Sequence, residues 1–298
     1  MVTSKGDKVL MAINYGLLAA VVLFMFIPFW YLIVMSFNEG VNTAAGGILL
    51  FPRAFTLDNY RAVFANSGLF GYFGLSFLRV FVGTPLHMLV VFLAAWAISR
   101  RDMPFRKFFI ATVLVSMFVS GGLIPFYLAL AHYNLLNTFW VFVLPGAFSG
   151  WNMIIMVTAI RSLPASLTES AQIDGANELT LCFRIVFPLI GATIATLSLF
   201  TAVFYWNDWF AGAFFVNRQA LWPIATYLQM VLQRGLSTVR SAAEADAMGA
   251  AGRDIGRTIS ESSIRATTLV VSMLPIICIY PFVQKYFIHG VMIGSIKE

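Results

Sequence analysis

The sequence predicts an all-α integral membrane protein with six transmembrane helices, and three observations carry that expectation. The 298-residue chain is 60% hydrophobic and 11% charged, with a mean hydropathy of +0.84, far from the balance of water-soluble domains. Six stretches reach the about 20 mostly apolar residues that cross a hydrocarbon core: approximately Val9–Met35, Phe70–Ala97, Phe108–Leu130, Leu136–Ile160, Phe187–Phe210 and Thr267–Phe287. None alternates apolar and polar residues as barrel strands do, whereas helices satisfy their own backbone hydrogen bonds in lipid. The expected organisation is one membrane domain over residues 1–298 with no flexible linker.

Short loops set the expected orientation, because there the positive-inside rule is most dependable. Arg100, Arg101, Arg106 and Lys107 crowd the second connection, Lys5 and Lys8 precede the first span, and the third connection, His132 to Leu135, has no Lys or Arg. Both termini and the segment 161–187 are therefore expected in the cytoplasm, with Asn38–Leu69 and Ala211–Ala266 outside. The net charge of +6 is dispersed among loops rather than gathered in a stripe, which argues against nucleic-acid binding.

Taken in order, the first span is too long for a signal-peptide core and lacks a small-residue cleavage site, so it is expected to remain as an anchor. The second holds Arg79, with Gly83 and His87 following at i+4 and i+8. A charge there must face protein or a wet cavity, or snorkel outward; contact with an anionic substrate is the alternative role. In the third, Ser116 and Ser120 share a face, and Gly121, Gly122 and Pro125 predict a kink. Between spans four and five, Ser166 followed by Glu169 reads as a capping box that starts a short helix. Gly175 suits the left-handed position that ends it. A second helix runs from about Asn177 into Pro188, which a first turn tolerates.

Span five places Ser198, Thr201 and Tyr205 on a limited arc, with Asp208 near its outer end. Together with Arg79 these residues are candidates for a translocation path, although hydrogen bonding between helices would explain them equally. Trp206 and Trp209 flank Asp208 and suit interfacial anchoring, with stacking on a sugar face as the alternative. The outer segment 211–266 includes a stretch from Ser241 of helical propensity without a strong apolar stripe. It reads either as a solvated loop with one surface helix or as a cover for the pore.

Catalytic signatures are missing: the sequence has no G-x-x-x-x-G-K-[ST] loop, H-E-x-x-H helix or G-x-S-x-G elbow, and its three histidines are scattered. Cys182 and Cys278 lack metal-ligand spacing and read as reduced packing residues. A non-catalytic transport subunit with no cofactor of its own is expected.

Glu169, Ala171, Gly175, Ile185 and Pro188 stand at the spacing of the "EAA" motif of ABC-importer permeases, with Ser170 in place of the middle Ala and Phe187 where Leu is usual. Asp174-Gly175-Ala176 and Phe183-Arg184 resemble the carbohydrate branch. Ser120-Gly-Gly-Leu-Ile-Pro125, Leu135-Leu-Asn137, Leu144-Pro-Gly146, Trp206-Asn207 and Gln284-Lys-Tyr-Phe287 through Gly290 extend the resemblance to roughly residues 9–298. The chain is thus similar to the second permease of maltose-type systems, and in particular to permeases for polysaccharide-derived oligosaccharides, alginate-type systems included. The resemblance implies a multi-pass bacterial inner-membrane subunit that pairs with a related permease, two ATP-binding subunits that hold ATP and Mg, and an extracytoplasmic solute-binding protein. Glu169, Ser170, Ala171, Asp174, Gly175, Ala176, Ile185 and Pro188 would dock the ATPase. Gly290, Gly294 and Lys297 of the C-terminal tail would help couple it, and the outer loop would meet the binding protein. The alternatives are an ion-driven secondary transporter, a membrane-bound glycan-processing enzyme, or an ABC permease for a non-sugar solute.

Overall fold

The apolar stretches form helices, and the computed structural model describes residues 5–47, 50–65, 67–233 and 260–295. The helices are α1 (Lys5–Ser36), α2 (Gly40–Ala44), α3 (Asp58–Phe64), α4 (Leu69–Ser99), α5 (Arg106–Phe118), α6 (Leu123–His132), α7 (Gly150–Arg161), α8 (Ala165–Ile173), α9 (Glu178–Thr180), α10 (Phe187–Leu189), α11 (Gly191–Asn207), α12 (Phe210–Phe215), α13 (224, described to 233) and α14 (Glu261–Ser295). A π-helical stretch, Leu181–Val186, joins α9 to α10. Among the described residues the only β-type pairing is an isolated bridge between Asn38 and Phe55.

Three straight stretches are long and apolar enough to cross a membrane: Gly6–Ser36, Leu69–Ser99 and Glu261–Ile279. Two further candidates are bent pairs, α5 with α6 at 118° and Glu178–Leu189 with α11 at 79°. The kink expected at Gly121 and Gly122 is therefore a full break. Val119 is extended, and Gly122 takes φ 83° and ψ 177°, a conformation that essentially only glycine adopts. The fourth expected span, Leu136–Ile160, is not one helix. Only Gly150–Arg161 is α-helical, after a 3-10 turn at Phe139–Phe142, because Leu144-Pro145-Gly146 interrupts it. Proline removes an N–H and crowds the preceding turn, and glycine adds backbone freedom. At the other end, α14 continues past the expected limit at Phe287 to Ser295.

The chain divides into two compact units. The first holds the described residues up to Leu69 and those of 228–274. Its organising groups are two buried asparagines. Asn38 accepts from the backbone N–H groups of Arg53 (2.8 Å) and Ala54 (3.1 Å), and Asn59 donates to the carbonyls of Ser36 (3.0 Å) and Asn38 (2.9 Å). The Ser36 hydroxyl, in turn, lies 2.8 Å from that of Tyr60. The end of α1 and the loop after it are thus tied together by side chains that replace a sheet ladder.

The second unit comprises residues 70–227 and the described part of 275–295. Its core takes Met88, Val91, Phe92, Ala95 and Ile98 from α4, Met153, Met156, Val157 and Ile160 from α7, Cys182 and Val186 from the π segment, and Leu197 from α11. The intervals of three and four on α4 and α7 put each set on one helical face. In lipid, close packing and hydrogen bonds rather than apolar burial hold helices together, which favours small residues at contacts. Tyr205 on α11 fits between Gly83 of α4 and Gly146. A Cβ at Gly83 would lie 2.8 Å from the ring, and one at Gly146 would lie 2.8 Å from the hydroxyl. Gly83→Ala should therefore destabilise the purified protein by about 1–3 kcal/mol, seen as a lowered Tm in detergent. Gly74→Ala, on the same helix with no atom within 4 Å of its new methyl, should leave Tm unchanged or slightly raised.

Candidate functional site

The segment between α7 and α11 is a polar, exposed element built from local signals. Pro164, with ψ 130°, holds extended backbone, and α8 begins immediately after it. The expected capping box is not formed: Pro164 occupies the cap, Ser166 already lies inside the first turn, and no side chain caps the helix. The expected C-terminus is formed. Gly175 takes φ 83°, its N–H donates to Gln172 O (3.0 Å), and the Ala176 N–H donates to Ala171 O (2.9 Å), a Schellman closure. Asn177 then caps α9, accepting from the Thr180 N–H at 2.8 Å. Pro188 stands in the first turn of α10, directly after the π segment.

Glu169, Ser170, Asp174, Gly175 and Pro188 are exposed, whereas Ala171, Ala176 and Ile185 are half-buried. Three apolar side chains also stand clear of the fold: Leu167, Ile173 (87% exposed) and Leu179. The segment is braced from behind. Arg106 and Arg161 both donate to Ile98 O, at 2.8 and 3.2 Å, neutralising the carbonyl end of α4, and Arg100 reaches Glu178 at 3.1 Å. These arginines and α8 border a cleft of about 590 Å³ that Glu169 and Gln172 also line. Gly290 and Gly294 lie on the α14 backbone, and Lys297 lies outside the described residues, as does 234–259 of the outer segment.

Of the path candidates, Ser198, Thr201, Tyr205 and Asp208 lie on or just after α11, and Arg79 lies on α4, on a face where Ser76, Arg79, Gly83 and His87 recur every three or four residues ahead of the apolar core stripe. Each meets a partner inside the unit. Ser76 accepts from the Ile224 N–H at 2.8 Å. Arg79 is fully buried, donating from Nη2 to Asp208 Oδ2 at 2.7 Å and from Nη1 to the Asp208 carbonyl at 3.0 Å. Its guanidinium also lies over the rings of Phe142 (5.2 Å) and Tyr205 (5.7 Å). Asp208 uses its remaining oxygen to accept from the Phe210 and Ala211 N–H groups, so one carboxylate both pairs the charge and starts α12. Tyr205 donates to Val143 O at 3.3 Å.

Thr201 borders a second cleft, of about 410 Å³, shared with His87, Ser149 and Asn152. Ser198 is half-buried on the neighbouring arc. The structure thus brings Arg79, Tyr205 and Asp208 into one buried cluster and leaves Thr201 on a cleft. Trp206 is not an interfacial anchor. It is buried and packs edge-on against Phe77 at 5.1 Å, because the α11 face that carries Thr201 and Tyr205 also points into the unit. Asn152 and Ser149 were not singled out by sequence reasoning. They follow the Pro145-Gly146 break, and their position could be found only by recognising that the helix starts afresh there.

Among the described residues the fold is helical apart from one isolated bridge, with several helices long and apolar enough to cross a membrane and a polar, exposed element between α7 and α11. No family model matches the chain. It is 36% identical over 298 residues, covering 100% of itself and 98% of the relative, to Protein LplC of Bacillus subtilis (strain 168). It is also 36% identical over 283 residues, 95% of the chain and 96% of the relative, to the polygalacturonan/rhamnogalacturonan transport system permease protein YtcP of the same organism. A chain in the crystal structure of a bacterial ABC transporter involved in the import of the acidic polysaccharide alginate shares the fold, with a TM-score of 0.83, 24% identity, and coverage of 96% of this chain and 99% of that one. The chain belongs to the family of sugar ABC-transporter permeases, whose members are transport subunits rather than enzymes.

Asp208→Asn keeps an oxygen for the α12 N–H groups but strands Arg79 without a countercharge. Breaking a buried pair in this way should cost about 3–5 kcal/mol, measured as loss of Tm and of monodisperse protein in detergent. The double variant Arg79→Met/Asp208→Asn should recover most of that loss, and equal stability of the single variant and the parent would contradict the ion-pair account.

Proposed function

We propose that this chain forms one half of the translocation pathway of an ATP-driven importer for polysaccharide-derived oligosaccharides, acidic ones included, in a bacterial cytoplasmic membrane. The supporting observation is α8 with its Schellman turn, a short, exposed element clamped between spans in a chain related end to end to a transport-system permease. In this reading a pair of ATP-binding subunits, which hold ATP and Mg, receives Glu169, Ser170, Ala171, Asp174, Gly175 and Ala176 in a groove. Leu167 and Ile173 supply the apolar contacts, and Ile185 and Pro188 fix the angle at which the motion enters α11. A related permease completes the pathway, and an extracytoplasmic solute-binding protein delivers the sugar to the outer segment 211–266. Both termini lie in the cytoplasm, where the tail with Gly290, Gly294 and Lys297 reaches the ATPase interface.

The transport path runs along the face that carries Ser198 and Thr201, while Arg79, Tyr205 and Asp208 hold its wall. The broken helices around Gly122 and Gly146 fit this reading, because irregular backbone at membrane depth is tolerated where it lines a wet cavity or is buried in protein. An ion-driven carrier would need a carboxylate free to titrate or bind a cation, and Asp208 is already committed to Arg79.

The test is Glu169→Lys in the reconstituted importer. Insertion and assembly should persist while sugar uptake and transport-coupled ATP hydrolysis fall by about tenfold or more, the loss expected when a charge-assisted contact becomes a repulsion. Glu169→Gln should fall between the two. Normal coupling in the lysine variant would remove α8 from the ATPase interface.

A further inference from the structure

The cleft beside α7 contains a hydrogen-bond chain whose polarity can be read atom by atom. His87 is buried, and its Nδ1 lies 2.6 Å from Gly146 O, which can only accept, so Nδ1 carries the hydrogen. In the neutral imidazole Nε2 then presents a lone pair, to which the Asn152 Nδ2 donates at 2.9 Å. The same Asn152 nitrogen directs its second hydrogen toward Thr201 Oγ1 at 3.4 Å, while the Thr201 hydroxyl donates to Leu197 O at 2.8 Å. Each hydrogen in this chain is committed. The Asn152 amide is fixed in orientation, because reversing it would set its oxygen against the bare Nε2.

The uncommitted groups belong to residues that line the cleft. Among the described residues the Asn152 carbonyl oxygen has no partner, and the Ser149 hydroxyl accepts from the Asn152 N–H (3.3 Å) without donating. The cleft therefore presents one oriented acceptor and one free donor. It is walled by the aromatic rings of Phe148 (40% exposed) and Phe204 (61% exposed), and among the described residues none that lines it is a carboxylate, lysine or arginine. Its volume of about 410 Å³ is within the range of small-ligand sites.

We infer that this cleft is a saccharide subsite on this subunit: Asn152 Oδ1 and the Ser149 hydroxyl engage ring hydroxyls, and Phe148 and Phe204 stack on the ring's C–H face. A hydroxyl both donates and accepts, which matches the one acceptor and one donor on offer. A ring's C–H face suits an aromatic wall, and the uncharged lining selects the hydroxyl-bearing face of the sugar rather than a carboxylate. His87 is a positioning residue, holding the Asn152 amide without touching the ligand. This inference rests on the importer reading above and adds the atoms that would contact the cargo.

The test uses the complete importer in detergent, without its binding protein, titrated with maltotriose, raffinose and trigalacturonate. Affinity and saturation-transfer NMR from the aromatic rings to the sugar protons are both recorded. At least one probe should bind, with ring C–H protons receiving the strongest transfer. Asn152→Leu should weaken its affinity by about tenfold, the cost of removing a committed hydrogen-bond partner. Phe204→Leu, which keeps apolar volume, should weaken affinity severalfold and abolish the transfer pattern. Should Asn152→Leu fail to assemble, Phe204→Leu and Ser149→Ala decide the matter. Affinity and transfer pattern unchanged in these variants would overturn the subsite, as would the absence of binding by every probe. If saccharide-loaded binding protein still stimulates ATP hydrolysis in that case, the importer reading stands and only the cleft assignment falls; if it does not, both fall.

Discussion

The second unit depends on one costly group, a fully buried arginine at position 79. A guanidinium away from water is costly unless its charge and N–H groups are met. Here Asp208 meets the charge with its carboxylate and a second N–H with its carbonyl, while the buried Nε has no hydrogen-bond partner among the described residues. That requirement fixes the end of α11 against the middle of α4. It also sets Tyr205 between Gly83 and Gly146 and makes Asp208 the residue at which the chain turns into α12. The polar stripe on α4 thus works as a register device. Ser76, Arg79 and His87 each accept only one arrangement of the elements that face them, whereas the apolar stripe below them could slide by a turn at little cost.

The two ends of α4 have different chemistry. Its polar first half is held by side-chain pairs, and its apolar second half packs against α7 and the π segment before ending under Arg106 and Arg161. The π segment and α10 lead directly from α9 to α11, so displacement of α8 has a short covalent route to the helix that carries Thr201, Tyr205 and Asp208. Glu178–Leu189 and α11 meet at a bend of 79°, and under the proposed function a push on α8 would act on the span through that bend. Leucine and isoleucine side chains left exposed on α8 are otherwise unexplained on a water-facing element and fit a protein-covered surface.

Much of this was legible in the sequence. Composition and the lengths of the apolar runs announced a helical membrane protein, Gly121-Gly122 announced a kink that is in fact a full break, and Gly175 announced the left-handed end of α8. Other features were not local. The capping box at Ser166 and Glu169 is a sound pattern that Pro164 pre-empts by placing the helix cap two residues earlier. The expected fourth span merged residues on both sides of Leu144-Pro145-Gly146, because hydropathy alone does not register a backbone break inside an apolar run. The Arg79–Asp208 pair joins residues far apart in the chain, and the His87–Asn152–Thr201 series joins three helices. The polar residues on one face of α4 and the arc of Thr201 and Tyr205 before Asp208 marked the participants but not their pairing.

The most direct measurement of the account's central claim is sugar-stimulated ATP hydrolysis by whatever assembles with this chain. Affinity isolation from its native membrane, followed by identification of the co-purifying subunits and an ATPase assay with saccharide-loaded binding protein, tests partner set and coupling together. The account predicts a second permease and ATP-binding subunits in the isolate, with hydrolysis that rises when an oligosaccharide is supplied. An isolate without ATP-binding subunits, or one whose hydrolysis ignores every oligosaccharide, would contradict it.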